Sequence, residues 1–394
     1  MKKRIASRIL LSLLALCLAC AAVPGAALAD LSLSLGSERL TKGNIIYLGK
    51  NQFNDDLRWR VLHTNGEKAL LITLNAIRME YMFGDKEFPF IDYDYIDDFS
   101  DGEPVYDSWE KSGIRKLCRD LYQSWKRGGA EKLEVQAILS TDIEETESYR
   151  GGRFDFEFLP RSIKGEHFFL LSAREADLYF DSEADRIANG PDREPVWWWL
   201  RSPIHHESIY LDRSYIIATV DDGGWLNSLD VLQNYNIPFA GFRPACYLDM
   251  TKVLFTTEAS KDGKPKDANT ASMEPVTEGN GKDRKLTLLD EKQKFTVDTD
   301  AVTASPGGSF SFNFEGAAKN AKTAISVLIC SKEGTPLYYG SQAAFMTTDG
   351  TAEFPVPAEL APGEYILKVF SEIRNNKTTS DFASAFADVV LTVQ

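Results

Sequence analysis

Short stretches of alternating apolar and polar residues dominate the last part of the chain. Residues 310–314 read F-S-F-N-F, and 366–370 and 389–393 are similar apolar runs, with a turn-forming Pro362-Gly363 pair between strands. Alternation with a period of two places one face of a strand against a core and the other in solvent. The pattern therefore predicts an all-β sandwich over residues 286–394.

Apolar residues with helical spacing appear earlier in the chain. They recur every third or fourth residue on one face of residues 112–125: Ile114, Leu117, Cys118, Leu121, Tyr122 and Trp125. This spacing predicts an amphipathic helix. Ser172 followed by Glu175 is a capping box, and it predicts the start of a second helix.

Short strands are predicted between and around these helices. Residues 57–62 and 68–74 flank a Thr-Asn-Gly turn at 64–66, which is the pattern of a β-hairpin. Helices mixed with hairpins, without regular strand–helix alternation, indicate an α+β fold for residues 36–254. Residues 255–285 are poor in large apolar side chains and rich in Lys, Asp, Gly and Thr, so we expect a flexible linker between two domains.

The N-terminus has the three parts of a secretory signal. Basic residues at 2–4 and 8 precede an apolar run at 9–23, and Ala-Leu-Ala at 27–29 is a small-residue cleavage site. We therefore predict a signal peptide over residues 1–29 and an extracytoplasmic location, which is secreted, periplasmic or at the cell surface. No membrane span is expected after its removal.

Composition narrows the possible partners. The chain has 394 residues, of which 44 are Lys or Arg and 58 are Asp or Glu, giving a net charge of −14. A surface of this sign repels phosphate backbones, so nucleic acid is excluded as an expected partner. Cys118, Cys246 and Cys330 lie in apolar stretches, and the pattern favours buried thiols while leaving one disulfide open.

Several motifs resemble a known family when taken in order. They are W-R-V-L at 59–62, S-W-E-K-S-G-I-R at 108–115, the segment 169–180, W-W-L-R-S-P at 198–203 and G-F-R-P-A at 241–245. This set resembles the bacterial family catalogued as domain of unknown function 6273. That family is similar in turn to C-type-lectin-like and formylglycine-generating-enzyme-like folds, so the resemblance implies a C-type-lectin-like domain. It implies no activity.

A second resemblance concerns the C-terminal part of the chain. The entry into a strand at 362–365, P-G-E-Y, resembles bacterial immunoglobulin-like domains. The expected fold class is thus an α+β, C-type-lectin-like domain followed by an all-β immunoglobulin-like sandwich.

Candidate ligand-binding residues lie in two stretches and one isolated arginine. They are Trp198, Trp199, Arg201, Asp221, Asp222, Trp225, Asn227 and Arg243. Indole rings stack on sugars, and carboxylates and amides bind hydroxyl groups. The alternative for the Trp and Arg residues is framework, with the guanidinium groups paired or stacked on indole. The alternative for 221–227 is an ordinary hairpin turn.

Catalytic and metal-binding patterns are weak. The acidic residues between 92 and 103 have the oxygen atoms that calcium prefers, yet they do not match a calcium-loop motif, and a solvated loop is the favoured interpretation. The four histidines show no zinc spacing, so no catalytic residue, metal or cofactor is assigned.

We expect a non-catalytic recognition protein for an extracellular glycan or protein; the alternatives are a cell-envelope hydrolase or modifying enzyme, and a structural envelope protein.

Overall fold

The computed structural model shows a chain built mostly of strands. Strands account for 50% and helices for 14% of the structure. The described residues are 31–51, 54–77, 113–145, 149–151, 154–156, 161–204, 216–230, 240–259, 273–277, 281–344, 346–375 and 379–394. The predicted signal peptide and the acidic loop at 92–103 lie outside these residues, so both stay predictions.

The strands are numbered in chain order. The first thirteen are β1 Leu31–Leu35, β2 Ile45–Lys50, β3 Asp56–Thr64, β4 Lys68–Thr73, β5 Thr141–Glu145, β6 Tyr149–Gly151, β7 Phe154–Phe156, β8 Arg161–Glu166, β9 Ala188–Asn189, β10 Pro195–Val196, β11 Trp198–Ile204, β12 Ile216–Val220 and β13 Leu226–Asp230. The others are β14 Ala245–Asp249, β15 Val253–Glu258, β16 Glu274–Thr277, β17 Asp283–Leu289, β18 Thr296–Val297, β19 Ala301–Ala304, β20 Ser309–Glu315, β21 Thr323–Cys330, β22 Pro336–Ala343, β23 Gly350–Pro355, β24 Gly363–Ile373, β25 Asp381–Ala383 and β26 Ala387–Val393.

The helices of the described residues are short. They are α1 Gly113–Ser124, α2 Lys132–Gln136, α3 Ala173–Tyr179 and α4 Glu183–Arg186, with a π-helical turn at Trp125–Gly129 and 3-10 turns at Gly36–Glu38 and Met250–Lys252. The predicted amphipathic helix is present as α1, and the Ser172–Glu175 capping box begins α3 as predicted. No helix of the described part combines the length and apolar character needed to cross a bilayer.

One large sheet of 14 strands organises the molecule. Its order is β14-β4-β3-β2-β17-β15-β1-β16-β22-β21-β24-β26-β19, and β25 pairs with both β17 and β24. The double pairing of β25 closes a ring through β17, β15, β1, β16, β22, β21 and β24, a barrel-like sheet of 8 strands. The predicted hairpin is present as β3 and β4, at one side of this sheet.

The expected fold class is therefore wrong. A mixed α+β, C-type-lectin-like domain followed by a separate immunoglobulin-like sandwich is not what the chain forms, because strands from both predicted domains, such as β3 and β21, lie in the same sheet of 14 strands. The smaller sheet β18-β20-β23 does face this sheet across a phenylalanine-rich core, which includes Phe310, Phe312 and Phe354. The alternation at 310–314 was thus a correct strand signal, and it gave no information on how far the partner sheet extends.

The reason for the error lies in buried polar residues of β17. Arg284 is 2% and Lys285 1% exposed, although their charge is typical of a solvated linker. Lys285 pairs with the buried Asp381 on β25 at 2.8 Å, and Arg284 donates to hydroxyl groups of Ser32 and Thr256. These bonds compensate the burial of the two cations, which composition does not reveal. Parts of the expected linker thus form β15, β16 and β17, and the division into domains stays a prediction.

Candidate functional site

Trp198 and Arg243 form the centre of the core in the first part of the chain. The Trp198 side chain is 0% exposed, and its indole Nε1 donates to the Arg186 carbonyl at 3.1 Å. The Arg243 guanidinium stacks 4.7 Å from the Trp198 ring and donates to the carbonyls of Thr73 and Arg186 at 2.9 and 3.1 Å. Burial, with a smaller effect of Arg60, lowers the Arg243 pKa to about 9. The guanidinium therefore ties together three chain segments through backbone carbonyls.

Arg201 and Trp199 continue this buried layer along β11. Arg201 donates to the Leu170 carbonyl at 2.6 Å and pairs with the Glu175 carboxylate, and it lies over the Phe169 ring. Trp199 is 5% exposed. Since Trp198 and Trp199 point to opposite faces of the strand, both faces are buried, whereas the sequence led us to expect one core face.

These four predicted site residues are buried in this structure. Trp198, Trp199, Arg201 and Arg243 have no exposed ring face or free guanidinium edge of useful size, because each is at most 5% exposed. A ligand reaching them would first have to displace neighbouring core residues. The second interpretation given to these side chains, with guanidinium groups paired or stacked on aromatic rings, describes their contacts.

The other four predicted residues form a hairpin tip between β12 and β13. The Asp221 carboxylate accepts hydrogen bonds from the backbone amides of Gly223 and Trp225, at 3.0 and 2.8 Å, and from the Asn227 side-chain amide at 3.3 Å. Both carboxylate oxygens are used in this way. Asp221 and Asn227 therefore hold the shape of the turn, while Asp222 and Trp225 are its exposed side chains.

Trp225 is exposed on a tip that is fixed in place. Its side chain is 61% exposed, which is unusual for a residue of this size. Gly224 has φ +84, and a side chain there would lie 1.9 Å from the Glu183 carbonyl oxygen on α4. Only glycine allows this close approach. The tip thus docks on α4 and presents the indole to solvent.

Arg186 connects the tip to the buried layer, and sequence reasoning missed it. Its Nε donates to the Gly224 carbonyl at 2.8 Å, and its own carbonyl accepts from both Trp198 and Arg243. The residue is only 6% exposed. The sequence signal for its position is Ser182, which caps the four-residue helix α4 that ends at Arg186. This helix is too short to show a hydrophobic period, so it was not predicted.

A separate concave feature lies between β2, the π-helical turn and α2. It is a cleft of about 380 Å³ lined by Tyr47, Lys50, Asp56, Glu131 and Glu134, together with glycine backbone. Glu134 is 3% exposed, and burial raises its pKa.

The Glu134 carboxylate is already fully engaged. It accepts from the Ser380 hydroxyl at 2.8 Å, and from the Glu131 and Gly49 amides at 3.1 and 3.4 Å. Its role is to cap α2 and to join that helix to the C-terminal part of the chain.

Metal and thiol chemistry find little support among the described residues. No group of three or more His, Cys, Asp or Glu side chains in that part of the chain is placed to hold a metal ion. Cys118, Cys246 and Cys330 are buried free thiols. Burial raises the pKa of Cys330 to about 11 and that of the other two well above the ordinary value, so none is activated as a thiolate.

The family comparison covers the helices and both parts of the candidate site. Residues 107–250 match the model of the family described as "Domain of unknown function (DUF6273)". The resemblance predicted from the W-W-L-R-S-P and G-x-R-P-A motifs is thereby confirmed for this stretch. The DUF6273 match includes the buried layer and the hairpin tip, and its description states no activity. No curated protein matches the chain.

Proposed function

We propose that the protein is an exported recognition protein that binds its ligand through the hairpin tip at residues 221–227. The observation that carries this proposal is the 61% exposed indole of Trp225 on a tip fixed by the Asp221 hydrogen bonds and by the docking of Gly224 on α4. A rigid exposed aromatic ring loses little conformational entropy on binding. The surface is suited to stacking against a ligand.

The test uses the mature chain, starting after residue 29, on arrays of glycans and of extracellular proteins and peptides. Trp225→Ala should lose about 1 to 3 kcal/mol of binding free energy for the ligand found, as truncated aromatic anchors do. Its melting temperature should stay at the parent value, because the side chain lies outside the core. Val390→Ala removes a similarly exposed apolar side chain on β26 and should leave binding unchanged. Equal binding by the Trp225 variant would refute the proposal.

A cell-envelope hydrolase is the second candidate, and the cleft at Glu134 is the observation in its favour. A buried carboxylate with a raised pKa inside a cleft is a common feature of acid catalysts. The three hydrogen bonds to Glu134 are better explained by capping and bracing. Hydrolysis of cell-wall fragments that Glu134→Gln abolishes, in a variant with unchanged stability, would favour the enzyme over the binding protein.

A further inference from the structure

The exposed indole of Trp225 lies beside carboxylates that are themselves exposed. Asp222 is in the same turn and open to solvent. Glu183 lies on α4 directly under Gly224, and Asp177 on α3 reaches the same arginine as Glu183; their side chains are 46% and 49% exposed. Asp177 and Glu183 both contact Arg186, which binds the Gly224 carbonyl next to Trp225, and we call Asp177, Glu183 and Asp222 the acidic rim.

The cation within the rim is buried and already bound. Arg186 is 3.5 Å from Asp177 and 3.6 Å from Glu183, and its side chain is only 7% exposed. Its Nε is used by the Gly224 carbonyl. This guanidinium is buried, whereas the carboxylates of Asp177 and Glu183 are about half exposed. With three carboxylates and one guanidinium, the acidic rim and Arg186 together carry a formal charge of −2.

The combination of indole and acidic rim selects the charge of a ligand. The π-face of tryptophan attracts an ammonium or guanidinium group, and nearby carboxylates strengthen this attraction. An anionic ligand would be repelled, and a neutral one would lose the carboxylates' hydration without an ion pair in return. The carboxylates alone would form an ordinary solvated surface; it is the fixed indole among them that makes them part of a site.

We propose that the ligand of the Trp225 tip is a cationic peptide segment with exposed Lys or Arg side chains. This inference rests on the proposed function, since it names the chemical class of ligand for the same surface. One basic side chain stacks on the indole, and the acidic rim pairs with that side chain or with the next one along the peptide.

The test measures binding of a hexalysine peptide to the full mature chain, with hexaglutamate and maltohexaose as comparison probes. Trp225→Ala should weaken hexalysine binding about three- to tenfold, which is the range of a cation–π contact. Asp222→Asn should weaken it about twofold, and the loss should shrink at high salt because exposed charges are screened. Asp349→Asn is the matched control, since it removes one exposed carboxylate at the end of a different sheet.

The outcomes separate this inference from the proposed function. If Asp349→Asn weakens hexalysine binding as much as Asp222→Asn does, and Trp225→Ala has no effect, the attraction comes from the overall charge and the inference is overturned. If the arrays yield a neutral or acidic ligand that depends on Trp225, the tip is a binding site and only the cationic class is wrong. If no ligand depends on Trp225, both fail.

A second measurement reads the charge around the indole without a ligand. The emission of Trp225 is obtained as the difference between the parent and Trp225→Phe. Asp222→Asn should decrease the quenching of this emission by caesium and increase its quenching by iodide, because the local potential becomes less negative. Unchanged quenching by both ions would show that the rim does not set the potential at the ring, and would overturn the inference.

Discussion

The buried layer around Arg243 and the hairpin tip around Trp225 use the same residue types for opposite purposes. In the buried layer, Trp198 and Arg243 donate to backbone carbonyls, stack on each other and are buried. At the tip, a carboxylate and glycines hold the backbone, and the indole is left to solvent. The difference teaches that a Trp-containing motif indicates a surface site only where other residues hold the backbone and the ring itself stays exposed.

The largest expected effect is on the buried layer. Arg243→Met should lower the free energy of unfolding by about 3 kcal/mol or more, because buried carbonyls lose their donors. Arg243→Lys should recover little, since one ammonium group cannot reach all three carbonyls. Urea unfolding followed by circular dichroism measures both. The same exchange at the exposed Arg127 is the control and should be nearly neutral.

A small decrease in the free energy of unfolding of Arg243→Met would contradict this prediction. It would mean that the three carbonyls find water or new donors, and that the guanidinium is retained for some other purpose than stability. The ligand-site interpretation of Arg243 would then regain support.

A smaller effect is expected where the tip meets α4. Gly224→Ala adds a methyl group 1.9 Å from the Glu183 carbonyl and places alanine at φ +84. We expect a loss of about 1 to 3 kcal/mol and undocking of the tip, because both the clash and the backbone strain must be relieved. Gly66→Ala is the matched control: φ is +86, and nothing lies within 4 Å. Amide hydrogen exchange at 221–227 should accelerate in the first variant alone.

The sequence predicts those parts of the fold that depend on interactions between residues close together in the chain. The cap at Ser172, the helix α1 and the hairpin of β3 and β4 depend on neighbours along the chain, and all three were predicted. Closure of the sheet by β25 involves contacts between residues far apart in sequence, among them the Lys285–Asp381 pair. Lys285 was expected in a flexible linker, so the closed sheet was missed.

The candidate site likewise has parts that depend on neighbouring residues and parts that depend on residues far apart in the chain. The stretch 221–227 was predicted as a ligand-binding segment with a hairpin turn as the alternative, because turn residues are local signals. The docking of Gly224 on α4 and the bridge through Arg186 were not predicted, since they join segments that no periodic pattern connects. Burial of both Trp198 and Trp199 was also not predicted, because a strand that is buried on both faces shows no alternation of apolar and polar residues.

The carboxylates of Glu134 and Asp221 can also be compared, since each accepts three hydrogen bonds and their environments differ. Burial raises the pKa of Glu134 above the value of 4.5 for a free glutamate, so the unfolded chain releases this proton at lower pH than the folded chain does. As the pH rises above 4.5 and through the folded pKa, the folded state binds more protons, and the contribution of Glu134 to stability falls. Glu134→Gln cannot ionise and should lack this fall.

The measurement is the urea midpoint at several pH values between 4 and 7. The difference between parent and Glu134→Gln should change over this range in the direction that favours the variant at higher pH. Glu315→Gln, at an exposed strand end, should follow the parent. A constant difference between parent and Glu134→Gln would show that the hydrogen bonds from Ser380, Glu131 and Gly49 compensate for burial completely.

The smallest expected effect is at Asp221, the half-buried counterpart of Glu134. Asp221→Ala removes the acceptor for the Gly223 and Trp225 amides, yet these donors can turn to water, so the free energy of unfolding should fall by about 1 kcal/mol or less. The amides of 223 and 225 should nevertheless exchange faster, and the ligand should bind more weakly because the indole is no longer held in one orientation. Asp222→Ala, one residue along, removes a carboxylate that is exposed, and it should leave exchange at 223 and 225 unchanged. Equal exchange rates in the two variants would mean that docking on α4 alone fixes the tip, and that the Asp221 hydrogen bonds follow its shape without determining it.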